Sequence, residues 1–220
     1  VNFSTGSDSN DGKTSGTAWK TAAKCLASNN VTYGARVMLS SGTSTENGVA
    51  TIDYAANSAG ATDTSLPVQI SGQGRDVTII TLSGATAGWR DSSAAKTWNI
   101  EISDLTLKQS NNTQSILWDT TPQTTPGKWT VRDATIGDQI VGANRAIFVR
   151  TATVNGIRSR IESPQSASQY CVYADGSSTV TLQSCILEGG RNIQLSGASV
   201  SLKQCSIVRF ANTGWLINTG

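Results

Sequence analysis

The second half of the chain repeats a short pattern of apolar and polar positions. Ile100-Glu-Ile-Ser-Asp-Leu-Thr-Leu107, Trp129-Thr-Val-Arg-Asp-Ala-Thr-Ile136, Val180-Thr-Leu-Gln-Ser-Cys-Ile-Leu187 and Val200-Ser-Leu-Lys-Gln-Cys-Ser-Ile207 share one form. Each reads apolar, any, apolar, polar, polar, apolar or small, any, apolar. Taking the apolar residue before the polar pair as marker gives Ile102, Val131, Leu182 and Leu202, with 29 residues in the first interval and 20 in the last. A looser copy lies between 154 and 161, where either Val154 or Ile157 can carry the marker. Repetition at this period is the mark of a solenoid turn.

Between these segments runs a second series of short apolar strands: Ile116-Leu-Trp118, Ala146-Ile-Phe-Val149, Cys171-Val-Tyr-Ala174, Ile193-Gln-Leu195 and Trp215-Leu-Ile217. Every turn of the solenoid therefore holds more than one strand. Alternation points one set of side chains inward, and the polar pair marks a bend. Stacking the turns buries the inward set in a continuous column while each strand pairs with its equivalent in the next turn. Helical solenoids would need runs of ten or more residues at helical spacing. A β-sandwich would not repeat the same positions at this period.

The first half opens on an extended, Gly/Asp-rich segment, followed by one helix candidate at 17–27. Thr17 is placed to cap it, and two apolar stripes are open: Ala18, Ala22, Cys25 and Leu26, or Trp19, Ala22, Ala23 and Leu26. Such a helix would cover the open end of the strand stack. The expected architecture is all-β: a right-handed parallel β-helix with a short N-terminal capping helix. It forms a single domain over 1–220, with 1–35 as extended segment and cap and 36–220 as coils whose C-terminal end is left uncapped.

Composition suits this reading, since Ser and Thr contribute 28 residues each and charged residues only 15%. A net charge of +2 without histidine gives no field to attract nucleic acid. No apolar run is long enough to span a membrane, and residues 1–12 lack a charged-then-apolar signal pattern. Four cysteines, without CxxC or Cys/His spacing, suggest neither a disulfide scaffold nor zinc. Cys185 and Cys205 hold the same repeat position and could be bridged by Cα distance alone, but a reduced core pair is the reading preferred here.

Val1-Asn-Phe-Ser-Thr-Gly-Ser-Asp-Ser-Asn-Asp-Gly12, Thr17-Ala-Trp-Lys-Thr-Ala22, Gly34-Ala-Arg-Val-Met-Leu39 and Gly42-Thr-Ser-Thr-Glu46 together resemble the N-terminal signature of the pectate-lyase-like right-handed β-helix superfamily. Leu66-Pro-Val-Gln-Ile-Ser-Gly72 and Val77-Thr-Ile-Ile-Thr81 are similar to its next coil. Ala18 stands where the pattern usually has proline, and Ala35-Arg36 where it has an acidic and a small polar residue. The resemblance implies an extracellular, cell-surface or virion protein that cleaves or binds polysaccharide, including non-catalytic appendage proteins. It also implies assembly as a homotrimer or continuation of the helix beyond the last coil.

Family lyases use an Arg or Lys base with Ca²⁺, and family hydrolases use paired carboxylates. The densest charge group of the repeat region, Arg132, Asp133 and Asp138 with Arg158 and Arg160 from the next coil, is the catalytic candidate. Asp104 and Asp133 fall at equivalent bends, but Ser184 and Gln204 continue that column, which fits a polar ladder closing the bends. No histidine motif and no acidic set fitting strong Ca²⁺ binding is present, so no cofactor or metal is expected unless the protein is a lyase. Asp8-Ser-Asn-Asp-Gly12 is read as a turn rather than a calcium loop. Among the tryptophans, Trp89 and Trp118 are the candidate sugar platforms. Of Tyr170 and Tyr173, at most one is expected to face out. The preferred function is a non-catalytic module that binds polysaccharide or cell-surface glycan, or builds a phage-tail or surface appendage; the alternative is a polysaccharide lyase or glycoside hydrolase.

Overall fold

The computed structural model describes residues 1–26, 34–52, 66–91, 99–110, 115–119, 127–138, 145–164, 169–209 and 217–219. After α1 (Ala22–Leu26), the strands follow as seven successive coils. The first two contain β1 (Arg36–Met38) and β2 (Gly42–Ile52), then β3 (Val68–Ser71) and β4 (Thr78–Asp91). The third holds β5 (Asn99–Ser103), β6 (Thr106–Gln109) and β7 (Ser115–Asp119). The fourth holds β8 (Gly127–Arg132), β9 (Thr135–Ile136) and β10 (Arg145–Val149), and the fifth β11 (Ala152–Ile157), β12 (Arg160–Glu162) and β13 (Tyr170–Asp175). The last two are β14 (Thr179–Gln183), β15 (Ile186–Gly189) and β16 (Arg191–Ser196), then β17 (Ser199–Lys203), β18 (Ser206–Arg209) and β19 (Ile217–Thr219).

Every pairing between these strands is parallel and joins equivalent positions of neighbouring coils. Three faces result. The first runs β1-β3-β5-β8-β11-β14-β17. The second climbs from the early parts of β2 and β4 through β6, β9, β12, β15 and β18. The third climbs from the late parts of β2 and β4 through β7, β10, β13, β16 and β19. β2 and β4 thus turn the corner between second and third faces within one strand, with a register shift between Asn47 and Val49. Parallel strands joined by crossovers wind right-handed, so the architecture is a right-handed parallel β-helix.

Inward residues form files along the axis. Val68, Ile100, Trp129, Val154 and Val180 make one file of the first face, and Ile80, Leu107, Ile136, Ile161 and Leu187 one of the second. All ten are fully buried. At about 1.5–3 kcal/mol for each large aliphatic side chain taken from water, these files are the main stabilising term.

The looser repeat is settled by pairing: Gly156, not Val154 or Ile157, stands opposite both Val131 and Leu182. Its missing side chain is replaced by Leu182, since a Cβ there would lie 2.6 Å from Leu182 Cδ2. The bend that follows is a left-handed residue in five coils: Asp104 (φ 56°), Asp133 (50°), Arg158 (48°), Ser184 (54°) and Gln204 (54°). Asp, Ser and Gln extend the expected polar ladder; an arginine there is less usual for left-handed backbone.

The cap is shorter than expected. α1 starts at Ala22, and Thr21 rather than Thr17 caps it, its Oγ1 accepting from Lys24 N at 3.1 Å. The buried Glu46 carboxylate of β2 accepts from Ala22 N and Ala23 N, both at 2.8 Å. Ala22, Cys25 and Leu26 join the core from this helix. Asp8 to Gly12 forms a turn: Asp8 accepts from Lys20 N and Thr21 N, and Gly12 (φ 70°) lies against the Trp19 ring, where a Cβ would come within 2.4 Å. Among the described residues no helix is long and apolar enough to cross a membrane.

Candidate functional site on the outer wall

The five charged candidates separate along the wall rather than converging. Arg132 ends β8 on the first face and pairs with Glu101 one coil below, at 3.2 Å. Asp133 and Arg158 occupy successive left-handed bends, and the guanidinium reaches back to grip the carboxylate with two bonds, Nε to Oδ1 at 2.8 Å and Nη2 to Oδ2 at 2.6 Å. That grip holds the Asp133 carboxyl below the usual carboxylate range and the Arg158 guanidinium above its own. Asp133 is thereby a poor proton donor and Arg158 a poor base.

Asp138 and Arg160 lie on the second face. A shallow open groove of about 400 Å³ runs there, lined by Lys108, Asp138, Arg160 and Glu162 among others. Asp138 pairs with Lys108 at 3.7 Å. Arg160 bridges Glu162 and Glu188, which stand in register on neighbouring coils with side chains only 12% and 14% exposed. Sequence reasoning passed over both glutamates, although they share a repeat position. Among the described residues no group of three or more Asp, Glu, Cys or His could hold a metal ion.

The third face carries a different chemistry. Its strands begin with an outward residue, two inward residues and a second outward one, as the burial of β13 and β16 shows. Two files of equivalent positions follow from the register: Ser115, Arg145, Tyr170 and Arg191, and beside it Trp118, Phe148, Tyr173 and Gln194; Ser115 and Phe148 are buried and the other six half-buried. Arg145 Cζ sits 4.7 Å from the Phe148 ring centre and 4.5 Å from that of Tyr173. Arg150 approaches Phe148 from its other neighbourhood at 5.2 Å. Arg191 stacks on Tyr170 at 5.4 Å and donates to its hydroxyl at 2.6 Å. Phe148 with Tyr173, and Tyr170 with Tyr173, meet edge to face at 5.3 and 5.7 Å.

Tyr170 and Tyr173 are therefore both on the outer surface, where one at most was expected, because the two inward residues between them reset the alternation. Trp118 belongs to this wall and is half-buried. Trp89 does not: its register opposite Leu117 puts it in the inward file, and it is fully buried, so it offers no surface to a sugar. Trp98, Trp215, Asp53 and Asp63 lie outside the described residues. All four cysteines are free thiols. Burial pushes Cys25 and Cys171 up to about 12 and raises Cys185 as well, which keeps these thiols protonated.

Comparison with protein-family models, with curated protein sequences and with solved structures finds no match to this chain.

Proposed function

We propose that this protein is a non-catalytic β-helix module that binds polysaccharide or cell-surface glycan outside the cell, as a surface protein or as part of a cell-surface or phage-tail appendage. The observation that carries the reading is the wall of half-buried Trp118, Tyr170 and Tyr173 interleaved with arginines on the third face and backed by the buried Phe148 ring. Aromatic faces pack on the apolar faces of sugar rings, and guanidinium groups bond their oxygens. The N-terminal residues that resemble the pectate-lyase-like superfamily support the same assignment, as does the order of extended segment, cap and coils. Self-association, as in a homotrimer, would set the outer edge of β17 against a second copy of the chain.

One observation favours a second reading. Glu162, which lines the groove of the second face, and Glu188, in register with it on the adjacent coil, are where a polysaccharide lyase or glycoside hydrolase of this superfamily would place paired carboxylates. Arg160 holds both, which speaks for a structural role.

A panel of neutral and acidic polysaccharides, with and without Ca²⁺, separates the two. Retention of the protein on at least one immobilised glycan, without new reducing ends or unsaturated products, supports the binding module. Product formation abolished by Glu162→Gln or Glu188→Gln refutes it in favour of the enzyme.

A further inference from the structure

Cys185 and Cys205 fall at the same place in the last two described coils, one residue past the left-handed bends at Ser184 and Gln204. Register fixes the match: Gln183 stands opposite Lys203 and Ile186 opposite Ser206, and Ser206 N donates to Cys185 O at 2.9 Å. The two Cα atoms are thus one strand spacing apart, about 4.7–4.9 Å, within the span of about 4.4–6.8 Å that a disulfide bridges. Ser159 occupies the equivalent place one coil earlier, and its hydroxyl donates to Ile157 O at 2.9 Å and to Val131 O of the coil beneath at 3.1 Å. The Cys205 thiol repeats both contacts, to Lys203 O at 3.4 Å and to Leu182 O beneath at 3.3 Å. Its sulfur therefore points down the axis, toward the coil that carries Cys185.

The two thiols differ in access. Cys185 is 1% exposed, while Cys205 is only partly buried. Burial chiefly, and the neighbouring Cys205 thiol in lesser part, raise Cys185 above the ordinary thiol range. An accessible thiol beside a buried one is the arrangement in which a mixed disulfide formed at the first is resolved by the second. Cys25 and Cys171 are both buried, and neither stands opposite another cysteine. Among the described strands β17 and β18 pair with β14 and β15 alone. Their inward Val200, Leu202 and Ile207 are half-buried where the counterparts Val180, Leu182 and Leu187 are fully buried. With less apolar surface removed from water, this coil opens more readily than the one beneath it.

We propose that Cys185 and Cys205 are a redox pair that closes into a disulfide under a thiol–disulfide oxidant such as glutathione disulfide, stapling the last described coil to the one beneath. The Cys205 thiolate attacks one sulfur of the oxidant, which forms a mixed disulfide and releases one glutathione. Cys185 then attacks the Cys205 sulfur and displaces the second glutathione. Two protein thiols are oxidised, one disulfide is reduced, and the two cysteine protons leave on the two glutathione thiols. From the proposed function the inference takes only the oxidising surroundings outside the cell, and it requires no glycan.

Incubation of the reduced, folded full chain with glutathione disulfide tests this, followed by unfolding, alkylation and mass spectrometry of the intact protein and its peptides. The parent is expected to lose the mass of two hydrogen atoms, to keep two alkylatable thiols of its four, and to yield a linked pair of peptides containing Cys185 and Cys205. The amides of β17 and β18 are then expected to exchange on the order of tenfold more slowly than in the reduced protein, because the link closes the 20-residue step between the two cysteines. Cys185→Ser puts there the residue that Ser159 already supplies to this file; with unchanged circular dichroism it stops at the Cys205–glutathione adduct and shows no such slowing. Cys205→Ala leaves Cys185 unmodified. A parent that keeps all four thiols, that accumulates the adduct at Cys205 with Cys185 still free, or that links only after urea unfolds it overturns the inference. So does equal slowing of exchange in Cys185→Ser. None of these outcomes bears on retention by a glycan, which the polysaccharide panel decides separately.

Discussion

Replacing Gly156 by alanine tests whether the inward file of the first face is packed to its limit. An alanine Cβ would lie 2.6 Å from Leu182 Cδ2 and 3.2 Å from Cys185 Sγ. Both neighbours are buried, Leu182 completely, so neither can swing aside into solvent. Overpacking of this kind costs about 1–3 kcal/mol. Against it stands the gain from removing a glycine inside a strand, about 0.5–1 kcal/mol. The net expectation is a loss on the order of 1–2 kcal/mol, which for a domain of this length lowers Tm by about 2–8 °C. Urea unfolding followed by far-UV circular dichroism measures it, with an unchanged slope marking an unchanged unfolding transition. Leu182→Ala alone leaves a cavity and costs about 2–5 kcal/mol. In the double variant the added methyl enters the space that leucine vacated, so the two losses are expected to fall short of additivity by about 0.5–3 kcal/mol. A Gly156→Ala protein as stable as the parent, with strictly additive losses in the double variant, would refute the packing argument.

Three further expectations concern titration and reactivity. Burial raises Glu46, so the native state takes up its proton at higher pH than the unfolded chain, and its contribution is greatest below the ordinary glutamate value of 4.5 and falls as pH rises through the folded value. Glu46→Gln should flatten stability against pH across that interval, and an unaltered pH curve would exclude Glu46 as its source. Asp133 is held low by Arg158, so the pair stabilises above the ordinary aspartate value of 3.8 and weakens as pH falls through the folded value; Asp133→Asn should shrink the acid limb of the same curve slightly, because both partners are largely solvated. Iodoacetamide at pH 8 should modify the partly exposed Cys205 first and spare Cys25 and Cys171 until the chain unfolds, with peptide mass mapping as the readout.

The repeat was legible because the core is a file of equivalent positions, and a file writes itself into the sequence as a period. It became illegible at Gly156, where an inward site is filled by Leu182 of the next coil instead of by its own side chain. Apolarity is then a property of two coils together, and no scan of one segment finds it. The third face was misread for a related reason. Strict alternation predicts one outward tyrosine, but Ser115-x-x-Trp118, Arg145-x-x-Phe148, Tyr170-x-x-Tyr173 and Arg191-x-x-Gln194 all keep two inward residues between outward ones at the corner of the coil. Stacking these four segments by their first residue would have exposed the arginine-aromatic wall. Among the charged candidates, proximity in sequence misled, since a bend between Arg132 and Asp138 sends neighbouring residues to different faces. Thr17, the expected cap, gives way to Thr21 because Asp8, distant in the chain, organises the backbone as far as Thr21.

Because each strand pairs only with its counterparts one coil above and below, any distance along the wall is counted in whole coils. The gap between Arg145 and Arg191 is two such steps. A further copy of the intervening coil would lengthen it by one strand spacing, whereas loss of that coil would also remove the rings of Tyr173 and Tyr170 on which the two guanidinium groups rest. The wall is thus a ruler with fixed graduations, on which each copied segment moves the side chains above it by one strand spacing, about 4.7–4.9 Å, without redesigning any of them.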